Sequence, residues 1–276
     1  MRFEKIARGN RSSWENKMKR REFLGGFAAF AAMGATGVQA RQADEPNTVY
    51  HVGDASITLN EYTHGSGLTY FAPHDSENTA VAAAKAVVAA EGGRVLWLSH
   101  RGTRNIRFVH AGVRYEFDPN RMFTDLGAKA SLKSQGANHF SNEALAMVRG
   151  FAKDVIGQIR TPGLRRGMIV GLHNNTNANY SVQSYLAGGG MEAEAADVFA
   201  VEGHDADDFY FVTARAHFAY FKAKGYNVAL QSRRPTNDGS LSVYWASQGK
   251  PYINAEAQAG HSAMQKEMLG LVAALG

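Results

Sequence analysis

Residues 68–93, "LTYFAPHDSENTAVAAAKAVVAAEGG", decide the fold because they join a strand to a helix across one short turn. The apolar run at the start is typical of a buried strand. The alanine-rich run predicts a helix over residues 77–91, ended by a pair of glycines. His74 and Glu77 lie in the turn between the strand and the helix. A turn there requires neither a histidine nor a glutamate.

The rest of the chain repeats this alternation of strand and helix. Further strands are predicted at 55–62, 94–100, 104–117, 166–175, 208–213, 226–232 and 250–260, and further helices at 141–159, 214–225 and 262–275. The polar, glycine-containing residues 174–206 are interpreted as long loops on the active face. No internal repeat or clear linker interrupts the pattern. The sequence therefore predicts a single-domain α/β fold with a mixed, largely parallel sheet flanked by helices.

The first forty residues form a segment of a different kind. "KRREFLGGFAAFAAMGATGVQA" has a basic start, a short and weakly apolar run, and a plausible cleavage site after Ala40. The pair Arg20-Arg21 before "EFL" is typical of a twin-arginine export signal, with Met18 as an alternative start. We therefore predict an export signal at 1–40, the mature domain at 41–276, and a periplasmic or extracellular location reached through the twin-arginine export machinery.

Charge and cysteine content exclude several classes of function. Residues 1–40 hold eight of the 30 basic and three of the 25 acidic residues, which leaves 22 of each in the mature chain. The basic pI therefore gives no support for a nucleic-acid partner, and no membrane anchoring is expected after the signal is cut. Because the chain has no cysteine, any metal must be held by His, Asp or Glu.

Two predicted strand ends supply metal-ligand side chains. In open α/β sheets, ligands bind near the carboxyl ends of the strands. His74 and Glu77 follow one strand, and His173 lies at the end of another. A His/Glu/His set with one open position is a recognised catalytic zinc arrangement, and it predicts one Zn²⁺ per chain. In the competing interpretation, His74 is a solvated loop histidine and Glu77 is an acid favoured by the helix N-terminus. His173 is then a hydrogen-bonded histidine at the rim of the sheet.

Glu256 lies inside the apolar strand "YINAEAQ". A carboxylate there is costly unless it is paired or near a metal. We interpret it as the group that takes a proton from water and returns it to a leaving amine. The alternative is an outward-facing acid on an edge strand.

The segment "RYEFDPNRMF" contributes Arg114, Asn120 and Arg121. Arginine suits a bidentate grip on a substrate carboxylate or the stabilisation of an oxyanion. The alternative is a turn at "DPN" with both arginines on the surface, and it applies especially to Arg114.

Four motifs in order, "HDSE", "FDPNRMF", "LHNNTN" and "NAEAQ", resemble the zinc-dependent metallocarboxypeptidase superfamily, especially its aspartoacylase/succinylglutamate desuccinylase branch. The resemblance implies His74, Glu77 and His173 as zinc ligands and Glu256 as the catalytic carboxylate. It also implies that Asn120 and Arg121 bind a substrate carboxylate. Arg114 matches the carbonyl-polarising arginine only if one residue is missing before Asn120.

The resemblance has two departures, and they lead to alternative functions. The branch continues into a small β-domain, whereas one helix follows Glu256 here, and "AEAQ" lacks the family's glycine. We therefore expect residues 41–276 to be a zinc hydrolase similar to carboxypeptidase-like amidases that trim murein peptides. The alternatives are an N-acyl amino acid deacylase and a non-catalytic peptide-binding protein. The expected partner is accordingly a small peptide or an N-acyl amino acid.

Overall fold

The computed structural model describes residues 47–276 except 137, 162 and 178, and an open β-sheet forms its centre. The strands of this part are β1 (Thr48–Val52), β2 (Ala55–His64), β3 (Leu68–Ala72), β4 (Gly93–Ser99), β5 (Ile106–His110), β6 (Val113–Phe117), β7 (Ile169–Asn175), β8 (Ala195–Phe199), β9 (Phe209–Val212), β10 (Val228–Gln231) and β11 (Tyr252–Gln258). The helices are α1 (Asn78–Glu91), α2 (Asp125–Ser134), α3 (Asn142–Arg160), α4 (Arg215–Ala223), α5 (Leu241–Ser247) and α6 (Ser262–Ala273). Short 3₁₀ turns occur at Pro119–Arg121, Arg165–Gly167, Val182–Tyr185 and Glu192–Glu194.

Nine strands form one mixed sheet in the order β1-β2-β4-β3-β7-β11-β9-β10-β8. The central strands β4, β3, β7 and β11 run parallel to one another. Antiparallel pairs join this block to β2 on one side and to β9 on the other. Strands β5 and β6 form a separate hairpin. The predicted single-domain α/β fold with a mixed sheet between helices is confirmed.

The two faces of the sheet have different roles. One face packs against α1, α4 and α6 through buried side chains such as Val170, Leu172, Ile253 and Ala255. Because side chains alternate along a strand, their neighbours point to the opposite face. On that opposite face, which we call the site face, lie His173, Asn175, Phe209, Phe211, Tyr252, Asn254 and Glu256.

Two apolar clusters cover parts of the site face. Helices α2, α3 and α5 contribute Leu132, Phe151 and Trp245 to the larger cluster. A smaller cluster around Tyr185 and Phe211 lies towards the β8 end. A cavity lined by residues of both clusters opens on the site face, and the polar side chains of β7 and β11 reach it.

The predicted elements agree with the structure, with instructive exceptions. The helix expected over 77–91 is α1, and Gly92 ends it with a φ of 84°. The strand expected over 104–117 is instead the β5–β6 hairpin, because Ala111 and Gly112 form a turn with positive φ. The loop expected over 174–206 contains β8, while β1, α2 and α5 were not predicted. The export signal predicted at 1–40 lies outside the described residues. Within the described part, no helix is long and apolar enough to cross a membrane.

Candidate active site

The turn after β3 brings His74 and Glu77 together. The carbonyl of His74 accepts the backbone N–H of Glu77 at 3.3 Å, which closes the turn. Glu77 occupies the N-cap position of α1, but its side chain makes no capping hydrogen bond. Its carboxylate turns instead to His74, with 2.8 Å between Oε1 and Nδ1. The turn between β3 and α1 therefore places the imidazole of His74 next to the carboxylate of Glu77.

His173 completes a group that can hold a metal ion. It lies in β7, the parallel neighbour of β3. Its Nδ1 is 3.0 Å from Oε2 of Glu77, so the carboxylate lies between the two imidazoles. The three residues are buried, and one ligand atom from each lies within 4.8 Å of the others. The structure thus brings together the three residues predicted as metal ligands.

The donor set and its surroundings fit zinc. Two imidazole nitrogens and one carboxylate form a known three-ligand zinc set with one open position. Metal-bound histidines normally present their second ring nitrogen to a carboxylate or a carbonyl, which fixes the ring. Asp118 does this for His74, with 2.8 Å between Oδ1 and Nε2. Nε2 of His173 lies 3.5 Å from Nδ2 of Asn120.

The pKa values of the two histidines shift in opposite directions, and Asp118 accounts for much of the difference. Burial lowers the pKa of His74, but the carboxylates of Glu77 and Asp118 outweigh burial and raise it to about 9. Burial also lowers the pKa of His173, and there Glu77 alone does not compensate, so the pKa stays below its usual value. Although burial opposes ionisation of Glu77, the two histidines hold its pKa well below the usual range.

Arg104 reaches the site, whereas Arg114 does not. One guanidinium nitrogen of Arg104 donates to Oε1 of Glu77 at 2.8 Å, and the other lies 3.4 Å from Oδ2 of Asp118. Arg114 is exposed beside the turn of the β5–β6 hairpin, opposite Val109, and does not line the cavity. The placement of Arg114 at the active site is therefore corrected, because the hairpin turn directs that end of β6 away.

Asp118 and Arg104 are the site residues that sequence reasoning missed. Asp118 was interpreted as part of a turn, and it does cap the 3₁₀ turn after it by accepting the N–H of Asn120 at 2.7 Å. Arg104 lies in the loop after β4, whose carboxyl end shares a sheet edge with that of β3. The position of Arg104 after a strand next to β3 could have indicated that it reaches the site. That adjacency follows from the strand order, which the sequence does not give directly.

Asn120 and Arg121 both line the cavity. The side-chain oxygen of Asn120 accepts the N–H of Leu241 at 3.2 Å, which ties the 3₁₀ turn to the start of α5. The guanidinium of Arg121 is one-third exposed and lies 3.5 Å from Asp238. Arg121 therefore keeps donor capacity that faces the cavity.

Glu256 is an interior residue of the sheet. Strand β11 lies between β7 and β9, which excludes the interpretation as an edge-strand acid. In register, Glu256 is directly beside His173, and Asn254 donates to its Oε2 at 2.9 Å. Burial, together with the negative charge of Glu77, raises the pKa of Glu256 to about 8. A buried carboxyl group with this pKa next to the histidines suits proton transfer near neutral pH.

The cavity has a volume of about 620 Å³ and mixed walls. Tyr180, Tyr185, Phe211 and Tyr252 supply aromatic surface, and the hydroxyls of Tyr180 and Tyr185 are hydrogen-bonded to each other. Its polar groups include Glu256 and Arg121. The space suits a ligand with an apolar body and several polar groups.

A second group of ligand-type side chains lies near the start of β9. Asp205, Asp208 and His261 have ligand atoms within 4.8 Å of one another, but Asp205 is exposed and His261 partly exposed. Asp208 is occupied, since it accepts the N–H of Gln258 at 2.9 Å and lies 3.1 Å from Nδ1 of His261. The hydrogen bonds of this group connect the loop before β9 to the end of β11 and to His261, and we interpret the group as structural.

The chain matches no family model and no curated protein. Among solved structures, it is similar to the crystal structure of an aspartoacylase family protein from Mesorhizobium loti, with a TM-score of 0.41 and 16% sequence identity. The match covers 83% of this chain and 66% of the other, so this chain spans just under two thirds of that protein's length. What the site does must therefore follow from its own residues.

Proposed function

We propose that the protein is a zinc-dependent hydrolase that cleaves an amide bond next to a free carboxylate. The observation that carries this proposal is the position of the Glu77 carboxylate between His74 and His173, in a cavity that also contains Glu256 and Arg121. A merely structural histidine pair would not need a second buried glutamate beside it.

His74, Glu77 and His173 would hold one zinc ion per chain. Zinc bound there would act as a Lewis acid and lower the pKa of water to about 7. Glu256 takes one proton from the attacking water and delivers it to the leaving nitrogen, while the carbonyl carbon exchanges its bond to nitrogen for a bond to oxygen. A pKa near neutrality suits a group that must both accept and donate.

Three cavity residues stabilise the negative charges of the substrate carboxylate and of the carbonyl oxygen during the reaction. Arg121 and Asn120 hold the substrate carboxylate, which fixes the scissile bond relative to Glu256. Arg104, held by Glu77 at 2.8 Å, places a guanidinium where it can stabilise developing negative charge on the carbonyl oxygen. Arg104 thus takes the role that the sequence resemblance had suggested for Arg114.

The substrates that fit this proposal are murein peptides and N-acyl amino acids. Murein peptides lie outside the cytoplasm, so this choice of substrate requires export to the periplasm or the exterior, which we propose occurs by the twin-arginine route. Membership of the zinc metallocarboxypeptidase superfamily is likewise part of the proposal and rests on the four sequence motifs.

The test is hydrolysis of a panel of murein peptides and N-acyl amino acids by zinc-loaded protein, with products identified by mass. Glu256→Gln should retain zinc and lower the rate at least about 10²-fold, because the proton carrier is lost. Glu202→Gln, at an exposed position, is the matched control and should be unaffected. Turnover by Glu256→Gln at the normal rate would refute the assigned role. An inactive wild type across the panel would favour a non-catalytic peptide-binding protein.

A further inference from the structure

One carboxylate connects the loop that carries Arg104 to the turn that carries the candidate metal ligand His74. Oδ2 of Asp75 accepts the backbone N–H of His100 at 2.5 Å and that of Gly102 at 2.6 Å. Because Asp75 directly follows His74, these two bonds join the turn after β3 to the loop after β4. Hydrogen bonds from backbone N–H groups to a carboxylate are among the stronger ones in proteins.

Residues 100–105 form this loop, which we call the arginine loop. Its backbone bends at Arg101 and Gly102, where φ is 81° and 68°. A positive φ costs little for glycine, but it is unfavourable for a residue with a side chain such as arginine. The bend therefore needs an interaction that holds it. The carboxylate of Asp75 supplies one, since it bonds to the N–H groups on either side of Arg101.

The shape of the loop matters because Arg104 reaches the site from an exposed position. Its side chain is 51% exposed, yet its guanidinium donates to Glu77 at 2.8 Å. A long side chain on an unrestrained loop would spend much of its time away from that position. The next residue, Asn105, is held by a side-chain bond to Glu116 at 2.8 Å. The backbone is thus fixed on both sides of Arg104, and Asp75 fixes the side that bends.

We propose that Asp75 is a positioning residue that acts through Arg104. By holding the bend of the arginine loop, it sets where the guanidinium lies relative to the carbonyl oxygen that becomes negatively charged during hydrolysis. A displacement of about 1 Å in such a group can lower a rate about 10²-fold. Asp75 does not line the cavity, so its effect on the reaction passes through the loop. This inference rests on the proposed function and adds to it the residue that places the arginine.

The experiment compares Asp75→Ala with Asp75→Asn in the zinc-loaded protein. One oxygen of Asp75 accepts both N–H groups, so the carbonyl oxygen of asparagine keeps both bonds, whereas alanine loses them. We expect Asp75→Ala to lower kcat at least about tenfold with KM and zinc content unchanged, and Asp75→Asn to stay within about threefold of wild type. The control is Asp54→Ala, which should leave kcat unchanged. Asp54 also accepts a backbone N–H, that of Val109 at 2.6 Å, but it does not line the cavity.

A double-mutant cycle shows whether Asp75 acts through Arg104. Arg104→Met removes the guanidinium and should lower kcat about 10²- to 10³-fold. In that background, Asp75→Ala should change kcat less than about twofold, because two changes that act through one group are not additive. A further tenfold loss in the double variant would overturn the proposal, as would a normal kcat in Arg104→Met. A loss of zinc in Asp75→Ala that equals its loss of activity would overturn it too, because Asp75 would then act on the metal centre.

Hydrogen exchange tests the arginine loop without turnover. The N–H groups of His100 and Gly102 should exchange at least about tenfold faster in Asp75→Ala than in wild type or Asp75→Asn, measured by NMR. Equal exchange in the three proteins would refute the hold of Asp75 on the loop. If wild type hydrolyses no substrate of the panel while exchange rises in Asp75→Ala, the hydrolase function fails and the positioning of the loop by Asp75 stands.

Discussion

At the scale of single residues, the two histidines of the site differ in the group behind them. Asp118 lies 2.8 Å from Nε2 of His74, whereas His173 has an amide at 3.5 Å. A carboxylate at that position orients the ring and raises its basicity as a ligand. We expect Asp118→Asn to weaken zinc binding about 10- to 100-fold, measured by competition with a chelating dye. Asp154→Asn, an exposed acid in α3, is the control, and equal zinc affinity in the two variants would refute the role of Asp118.

Glu256 should make the stability of the metal-free protein depend on pH. Its pKa rises from an ordinary value of 4.5 to about 8 in the folded state, so the folded protein keeps a proton that the unfolded chain loses. This contribution is complete below about pH 4.5 and is lost as pH rises towards about 8, by at most about 1.4 kcal/mol for each pH unit. Urea unfolding after chelation should show wild type losing stability relative to Glu256→Gln across that range. Parallel pH profiles for the two proteins would contradict the buried, protonated carboxyl group.

The same scale shows what the sequence can and cannot tell about single residues. His74, Glu77 and His173 were predicted because they lie at the ends of apolar strands, and Glu256 because a carboxylate inside an apolar strand has a cost that needs an explanation. Arginines carry no such signal, because most of them are exposed. Arg104 and Arg114 are ten positions apart, and only the turn of the β5–β6 hairpin decides which one reaches the cavity.

At the scale of secondary-structure elements, one buried glutamine connects α6 to the strand that carries His173. The NH₂ group of Gln265 donates to the carbonyl of His173 at 2.9 Å, and its oxygen accepts from Asn174 at 2.7 Å. Asn174 in turn accepts the N–H of Ala80 in the first turn of α1 at 2.9 Å. This network holds α1, and with it Glu77, against β7.

Removing that link should destabilise the fold. Gln265→Leu removes the side-chain donor to the buried carbonyl of His173 and leaves the NH₂ group of Asn174 with only the carbonyl of Ala257, which costs about 1–3 kcal/mol of unfolding free energy. Gln248→Leu, at an exposed position, should change the stability by less than about 0.5 kcal/mol. Urea titration of the three proteins measures both effects. A loss in Gln265→Leu no larger than in the control would show that the network contributes nothing.

Elements with a strong apolar pattern were predicted, and weakly patterned ones were missed. Strands β7 and β11 are buried on both faces, and α1 buries one face of an alanine- and valine-rich run. Strand β8 lies at the edge of the sheet and is only partly buried, so it lacks a periodic apolar signal. The strand order, which brings the ends of β3, β4 and β7 together, comes from long-range pairing that local patterns do not encode.

At the scale of the whole molecule, the assembled site bears on the export route. The candidate metal centre combines residues from β7 and from the turn before α1, so it exists only after folding. A route that carries folded proteins would allow zinc to be loaded first. Replacing Arg20 and Arg21 by lysine should leave unprocessed precursor in the cytoplasm, detected by fractionation and immunoblotting, while wild type is cut near Ala40. Normal export of the lysine variant would refute the twin-arginine assignment.

The metal content of the purified protein tests the central claim most directly. Elemental analysis by mass spectrometry should find about one zinc per chain in wild type and in His261→Ala, whose change lies in the second ligand-type group. His173→Ala should lose most of the zinc while remaining folded by circular dichroism. Zinc retained in full by a folded His173→Ala, or lost in His261→Ala instead, would contradict a zinc centre at His74, Glu77 and His173.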